Sequence, residues 1–275
     1  MKRFKRYACI LITLLILASV PSTALAAVEY APTKAVCTHY VKQGDQWVQE
    51  GDAVTRQWSY KKDGRLTKTT SISASGNRSV ISISWKGDLV TKVKYGDDSI
   101  TSYAYKNGML KQVAHSVNGS QSATSYTIKK NKSIYATNSQ TTTITYTKKK
   151  QYKKVTIRFK NGSMTRTYLY YPDGNLKKYT ATDPSGITSV ARFTKKGYLK
   201  SYTTTSPWGT DSSTYSYKSK NGKLRECIVT YKSGSSESQQ RFVYKNWKKV
   251  SRIRNCDGHE SIWGIGVLSE FDGRG

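Results

Sequence analysis

The chain has 275 residues and carries 46 Lys and Arg against 17 Asp and Glu, a formal net charge of +29. Only 36% of it is hydrophobic and much of that is supplied by 21 tyrosines, which argues against a thick sandwich core and against a bundle of membrane helices. The charge says nothing about fold, but it points to polyanions such as nucleic acid, anionic lipid or phosphate-rich wall polymers; the plain alternative is Lys that coats a solvent face and guards sheet edges.

Residues 1–26 read as a secretory signal. Lys2, Arg3, Lys5 and Arg6 lead, an apolar run follows from Ala8 to Val20, Pro21 interrupts it, and Ala24-Leu25-Ala26 offers small residues for cleavage. The run is short for a membrane span, Cys9 lacks the small-residue context of a lipid-attachment site, and no second span follows. The expectation is a secreted, extracellular or cell-wall-associated protein with no membrane span after signal removal. Taking the four leader cations from 46 leaves 42 basic residues against 17 acidic, so extracellular polymers become the available polyanions and no specific nucleic acid is expected.

Residues 27–57 are expected to form a linker, Val28 to Lys34, and a capping hairpin from Val36 to Val48 that turns at Gln43-Gly44-Asp45 and carries His39 and Trp47. Residues 58–254 then repeat. An apolar residue just after a turn recurs at Leu66, Leu89, Leu110, Ile134, Tyr152, Leu176, Leu199 and Leu224, a period near 23 residues that matches two strands and two short turns. A pair two residues apart precedes each turn: Trp58 and Tyr60, Ile83 and Trp85, Tyr103 and Tyr105, Tyr126 and Ile128, Ile144 and Tyr146, Tyr168 and Tyr170, Tyr215 and Tyr217, Phe242 and Tyr244. Residues so spaced share a strand face. Asp63-Gly64, Asn107-Gly108, Asn118-Gly119, Asp173-Gly174 and Asn221-Gly222 supply the hairpin corners.

From Ser125 to Tyr152 the rhythm is least regular. Asn131-Lys132 and Lys148-Lys149-Lys150 stand where glycine turns are expected, which predicts longer or type I turns there. Trp208-Gly209 interrupts a later turn, and that Trp either folds onto the sheet as a cover or stands exposed as a carbohydrate-stacking ring. Arg241, Lys245, Lys248, Lys249, Arg252 and Arg254 make a basic end, and residues 255–275 form an apolar tail centred on Ile262 to Leu268.

The best copy of the unit, Tyr-x-x-x-Gly-x-Leu from Tyr170 to Leu176 followed by Thr182-Asp183-Pro184-Ser185-Gly186-Ile187-Thr188, resembles the YD repeat of Rhs-type bacterial surface and toxin-delivery proteins. Weaker copies stand at Tyr60 to Leu66, Tyr105 to Leu110 and Tyr217 to Leu224. The resemblance implies a long antiparallel meander that coils as it grows. Large members close it into a shell around a toxin; with far fewer repeats and no toxin segment in this sequence, encapsulation is not carried over. The expected fold is all-β, a repetitive antiparallel β-hairpin meander forming one long, twisted or coiled sheet.

Cys37, Cys227 and Cys256 follow the leader, an odd number for an oxidising compartment. In an open sheet Cys37 lies about seventeen strands from Cys227, on the order of 80 Å, which forbids their pairing. Cys227 and Cys256 flank the hairpin at Trp247, beyond the usual reach of a bridge unless the sheet bends. Cys256-Asp257-Gly258-His259-Glu260 is the one close set of reactive side chains, and it reads first as a turn. No nucleophile elbow, phosphate loop, zinc-ligand spacing or dinucleotide fingerprint appears, so neither a metal nor a cofactor is expected.

The functional expectation is therefore non-catalytic: a surface or cell-wall-associated repeat protein that binds an anionic or carbohydrate cell-envelope polymer. Tyr103, Tyr105, Tyr168, Tyr170, Trp208, Tyr215 and Tyr217 would stack on sugars, with Lys248 and Lys249 neutralising acidic groups. The alternative is a protein-interaction or structural fragment related to Rhs shells, with a protein partner held through sheet edges.

Overall fold

The computed structural model describes residues 29–250 apart from Asp88, Asp173, Lys196 and Gly197. The leader, the cluster from Cys256 to Glu260 and the apolar tail lie outside the described residues.

Twenty strands and no helix make up this region. They are β1 (Glu29–Gln43), β2 (Gln46–Gln49), β3 (Val54–Tyr60), β4 (Leu66–Ile72), β5 (Arg78–Lys86), β6 (Leu89–Tyr95) and β7 (Ser99–Lys106). Then come β8 (Met109–Val117), β9 (Ser120–Ser125), β10 (Thr127–Lys129), β11 (Lys132–Ala136), β12 (Gln140–Tyr146) and β13 (Tyr152–Phe159). The rest are β14 (Gly162–Tyr170), β15 (Leu176–Thr182), β16 (Thr188–Phe193), β17 (Leu199–Ser206), β18 (Gly209–Lys220), β19 (Lys223–Ser233) and β20 (Ser236–Val250).

Apart from β2 with β3, which both pair with β1, and β9 with β10, neighbours in chain order pair antiparallel, as a hairpin meander requires. Between β9 and β10 the chain runs straight on: β9 pairs with β8, the Tyr126 amide donates to the Lys111 carbonyl at 2.7 Å, and β10 pairs with β11. At the other end β1 lies between β20 and β3, with Glu29 opposite Val250 and Cys37 opposite both Phe242 and Val54. The sheet thereby comes round nearly to closure.

This placement corrects three expectations. Residues 29–34 of the expected linker belong to β1 instead, and the first hairpin is not a cap at one end of the layer but its seam. Cys37 and Cys227 are also not remote. Both oppose Phe242 from the two sides of β20, and both are buried. The open-sheet distance failed because it counted strands along the chain, whereas β1 docks beside the last one.

The recurring rings are the core. Trp58, Tyr60, Ile83, Tyr103, Ile144, Tyr146, Tyr168, Tyr215, Phe242 and Tyr244 are buried, as are Leu66, Leu110, Tyr152, Leu176, Leu199 and Leu224. The same register shift recurs just before the turn: it precedes the pairs Tyr60 with Leu66, Trp85 with Val90, Tyr105 with Leu110, Tyr146 with Tyr152, Tyr170 with Leu176 and Phe193 with Leu199. Such a bulge bends the strand and strengthens its twist, which curls the layer. At β6 the inward residue is Val90, not Leu89, because β5 and β6 meet in a tighter corner.

At four of the bulged corners a carbonyl lies beyond the end of the next ladder, and a ring satisfies it. The β4–β5 ladder stops at Lys68 and Ser82, and the Leu66 carbonyl accepts from Trp85 Nε1 at 2.7 Å. Tyr170 Oη likewise donates to Tyr152 at 2.8 Å, Tyr217 Oη to Leu199 at 2.7 Å and Trp247 Nε1 to Leu224 at 2.9 Å. At these four places a recurring ring closes the backbone of the unit before it.

Candidate functional site

The tyrosines expected to stack on a polymer face the interior. Tyr103 is buried opposite Val113, and Tyr105 is half-buried opposite Leu110. Burial pushes the phenol pKa of both well upward, with neighbouring tyrosines adding to it. Tyr168 is buried between Tyr152 and Tyr179, with ring centroids 6.0 and 5.3 Å away. Tyr215 is buried, Tyr170 and Tyr217 are half-buried donors to backbone carbonyls, and Tyr217 stacks at 5.1 Å on Tyr198. The pairs are brought together as expected, but on the packed side: a narrow, coiled layer has nowhere else to bury its large rings.

Trp208 and Lys249 do reach solvent. Trp208 is 82% exposed on the turn between β17 and β18, where its amide donates to Ser206 Oγ at 3.2 Å. Lys248 donates to the Tyr60 carbonyl at 2.6 Å, bridging β20 to β3 across β1, and Lys249 lies exposed opposite Tyr30. Since Ser206 pairs with Gly209 at one end of the strands and Lys248 lies at the other end of β20, Trp208 and the basic pair do not form one patch. Around Lys248 the surface is cation-rich and aromatic: Lys223 Nζ stands 4.9 Å from the Tyr30 ring and Arg225 Cζ 4.4 Å from that of Trp247.

The outward face holds a feature that the aromatic rhythm concealed. Thr143 lies opposite Thr156, Thr156 opposite Thr165, Thr165 opposite Thr182, Thr182 opposite Thr188, Thr188 opposite Thr205 and Thr205 opposite Thr210. One threonine from each of seven consecutive strands, β12 to β18, therefore stands in a single row across the sheet. Directly opposed residues have Cβ atoms about 5 Å apart, close enough for hydroxyls to meet. Thr182 and Thr188 Oγ1 lie 3.3 Å apart, and Thr210 Oγ1 donates to Thr205 Oγ1 at 3.4 Å. Two residues along the strands a second, partial row runs through Thr145, Lys154, Thr167, Thr180, Val190, Thr203 and Ser212. The signal was present as Thr-x-Thr at Thr165 and Thr167, Thr180 and Thr182, and Thr203 and Thr205.

Four carboxylates of the described region pair with Lys or Arg. Glu226 contacts Lys218 Nζ at 2.7 Å and accepts from Arg241 Nε at 2.6 Å, and these two hold its carboxyl below the usual range. Glu237 lies 3.3 Å from Lys42 and 3.4 Å from Lys232, Asp97 lies 2.8 Å from Lys94, and Asp63 pairs with Arg65. An open depression of about 330 Å³ lies over β7 to β9, lined by Ile100, Ser102, Ala114, His115, Gln121 and Ala123 among others. His115 is held there by Thr101 at 3.0 Å, and burial lowers its pKa. Among the described residues no three His, Cys, Asp or Glu side chains cluster as metal ligands would.

No protein-family model matches the chain, and no curated protein matches it. Solved structures resemble it weakly. TcdB2-TccC3-TEV is 12% identical with a TM-score of 0.34, over 70% of this chain and 13% of that one. TcdB2-TccC3 is 16% identical with a TM-score of 0.29, over 71% of this chain and 14% of that one, so this chain spans a small fraction of either. A porin-like protein from Bacteroides uniformis is 14% identical with a TM-score of 0.31, over 85% of this chain and 99% of that one.

Proposed function

We propose that the protein is a non-catalytic, exported, surface or wall-associated module of YD-repeat type that binds an extended anionic or carbohydrate polymer of the cell envelope. The observation that carries this reading is the division of labour between the two faces. The rings turn inward and hold the fold, while Thr, Ser, Lys and Arg fill the outside, where the 46 Lys and Arg far outnumber the 17 Asp and Glu. A surface so constituted attracts polyanions over a long, repetitive track. The leader-like first 26 residues and the motif from Tyr170 to Thr188 support export and repeat type.

The test is sedimentation of the mature chain with purified cell wall over a salt series. Binding at low salt that weakens as salt rises is expected; no binding at low salt would remove the proposal. A second reading, pairing with a protein through a sheet edge, is favoured by β9, whose uncharged segment Ser120-Gln-Ser-Ala-Thr-Ser125 pairs along one side only. Light scattering of the purified chain at high concentration separates the two, since edge pairing predicts a mass above the monomer.

A further inference from the structure

We infer that the threonine row from Thr143 to Thr210 is the seat of an extended carboxylated polysaccharide, which lies across the strands and ends with a sugar ring on Trp208. This rests on the polymer-binding reading and names its ligand and its address.

Three observations converge. The first is pitch: strands follow one another at about 4.8 Å, close to the advance of one sugar ring in an extended 1,4-linked chain. A glycan crossing the strands can therefore meet about one threonine per ring over several consecutive strands. Each hydroxyl both donates and accepts, as a sugar hydroxyl does, and each methyl offers a small apolar spot between them. Since the opposed hydroxyls of Thr182 and Thr188 already lie 3.3 Å apart, the row is preordered before a ligand arrives.

The second is Trp208. The hairpin pairs Thr205 with Thr210 and Ser206 with Gly209, so the indole stands at the corner immediately beyond the row's last pair. It is 82% exposed, whereas every other Trp of the described region is buried or partly covered. An indole held in water at the end of a hydroxyl track provides the apolar plane on which a sugar ring stacks.

The third is charge. On β13, Lys154 and Arg158 stand on either side of Thr156 on the same face; on β15, Lys178 shares the face of Thr180 and Thr182, and Arg192 lies opposite Lys178. Acidic groups near the row are turned away: the Asp183 carboxylate accepts from the Ser185 and Ile187 amides within its own turn, and Asp211 pairs with Thr204 and Ser233 on the other face. Unneutralised cations beside hydroxyls select an acidic sugar polymer over a neutral one, and the indole selects a sugar over a polyol phosphate.

The experiment measures binding of the mature chain to polygalacturonate, to an uncharged β-linked glucan and to poly(glycerol phosphate) at one salt concentration. Polygalacturonate is expected to bind most tightly. Trp208→Ala, and separately the triple change Thr165→Val, Thr182→Val, Thr188→Val, each weaken it about tenfold, since either removes contacts equal to one or two net hydrogen bonds. Thr214→Val, outward but off the row, leaves it unchanged. Should the triple variant fail to fold, Trp208→Ala still decides, because so exposed a ring is removable without harm to the core. Undiminished polygalacturonate binding in Trp208→Ala, or equal binding of poly(glycerol phosphate), would overturn the assignment and leave polymer binding standing. Failure of the wild-type chain to bind any of the three would bring down both.

Discussion

A single hydroxyl shows how this protein uses its tyrosines. Tyr170 and Tyr217 were candidates for sugar stacking, yet each spends its Oη on a carbonyl stranded past the end of a ladder. Tyr217→Phe keeps the ring and leaves the Leu199 carbonyl unanswered, so it should destabilise the fold by about 1–2 kcal/mol; urea unfolding checks this. Glu226 makes a second case. Its carboxyl is held low by Lys218 and then Arg241, so the stability it adds is present above the ordinary carboxylate range and is lost as pH falls through its depressed value. Glu226→Gln should therefore be less stable than the parent near neutrality and should lose less on acidification below about pH 4. Thermal melts at several pH values read that difference. The two substitutions rest on roles that spacing alone could not disclose: the sequence shows which rings recur, but not which backbone oxygen each will meet.

Within one hairpin, the corner sets everything that follows. Asn107-Gly108, Asn118-Gly119 and Asn221-Gly222 hold positive φ at both positions, as two-residue corners of right-handed twist need. The five-residue corners are alike: Lys61 to Arg65, Thr147 to Gln151 and Tyr171 to Asn175 close through equivalent pairs of backbone bonds. In the second of these, the Lys150 amide closes a turn on the Thr147 carbonyl with no positive φ at Lys148 or Lys149, in keeping with the longer or type I turn expected of a Gly-less sequence, and Lys150 then occupies the place of glycine with φ of 62°. The bonding of the corner overrode the residue's preference. Lys150→Gly should accordingly stabilise the protein by about 0.5 kcal/mol, the gain from relieving a left-handed backbone being partly offset by glycine's freedom when unfolded; the shift in urea midpoint is the measure. Corners and strand faces were legible because their chemistry is local. The threonine row was not, because it depends on the bulges: one residue's slip at any corner would turn that strand's threonines inward.

At the scale of the molecule, the repeat predicted a layer and the layer is there, but not its near-closure. Pairing of β1 with β20 joins residues some two hundred positions apart, and no pattern in either strand announces the other. The prediction is that a chain lacking residues 29–37 bares the facing edges of β20 and β3, self-associates and melts at lower temperature. A shortened chain that remained monomeric with an unaltered melt would show that the seam is dispensable.

That seam also ties completeness to order of manufacture. The ribosome makes β1 first and its long partner last, so a nascent chain can knit every hairpin yet must keep Ala31, Ala35 and Cys37 waiting for Lys248, Tyr244 and Phe242. Any product halted short of Ser236 carries a permanently bare margin, and quality-control factors that seek such margins would find the unfinished copies and pass over the finished ones.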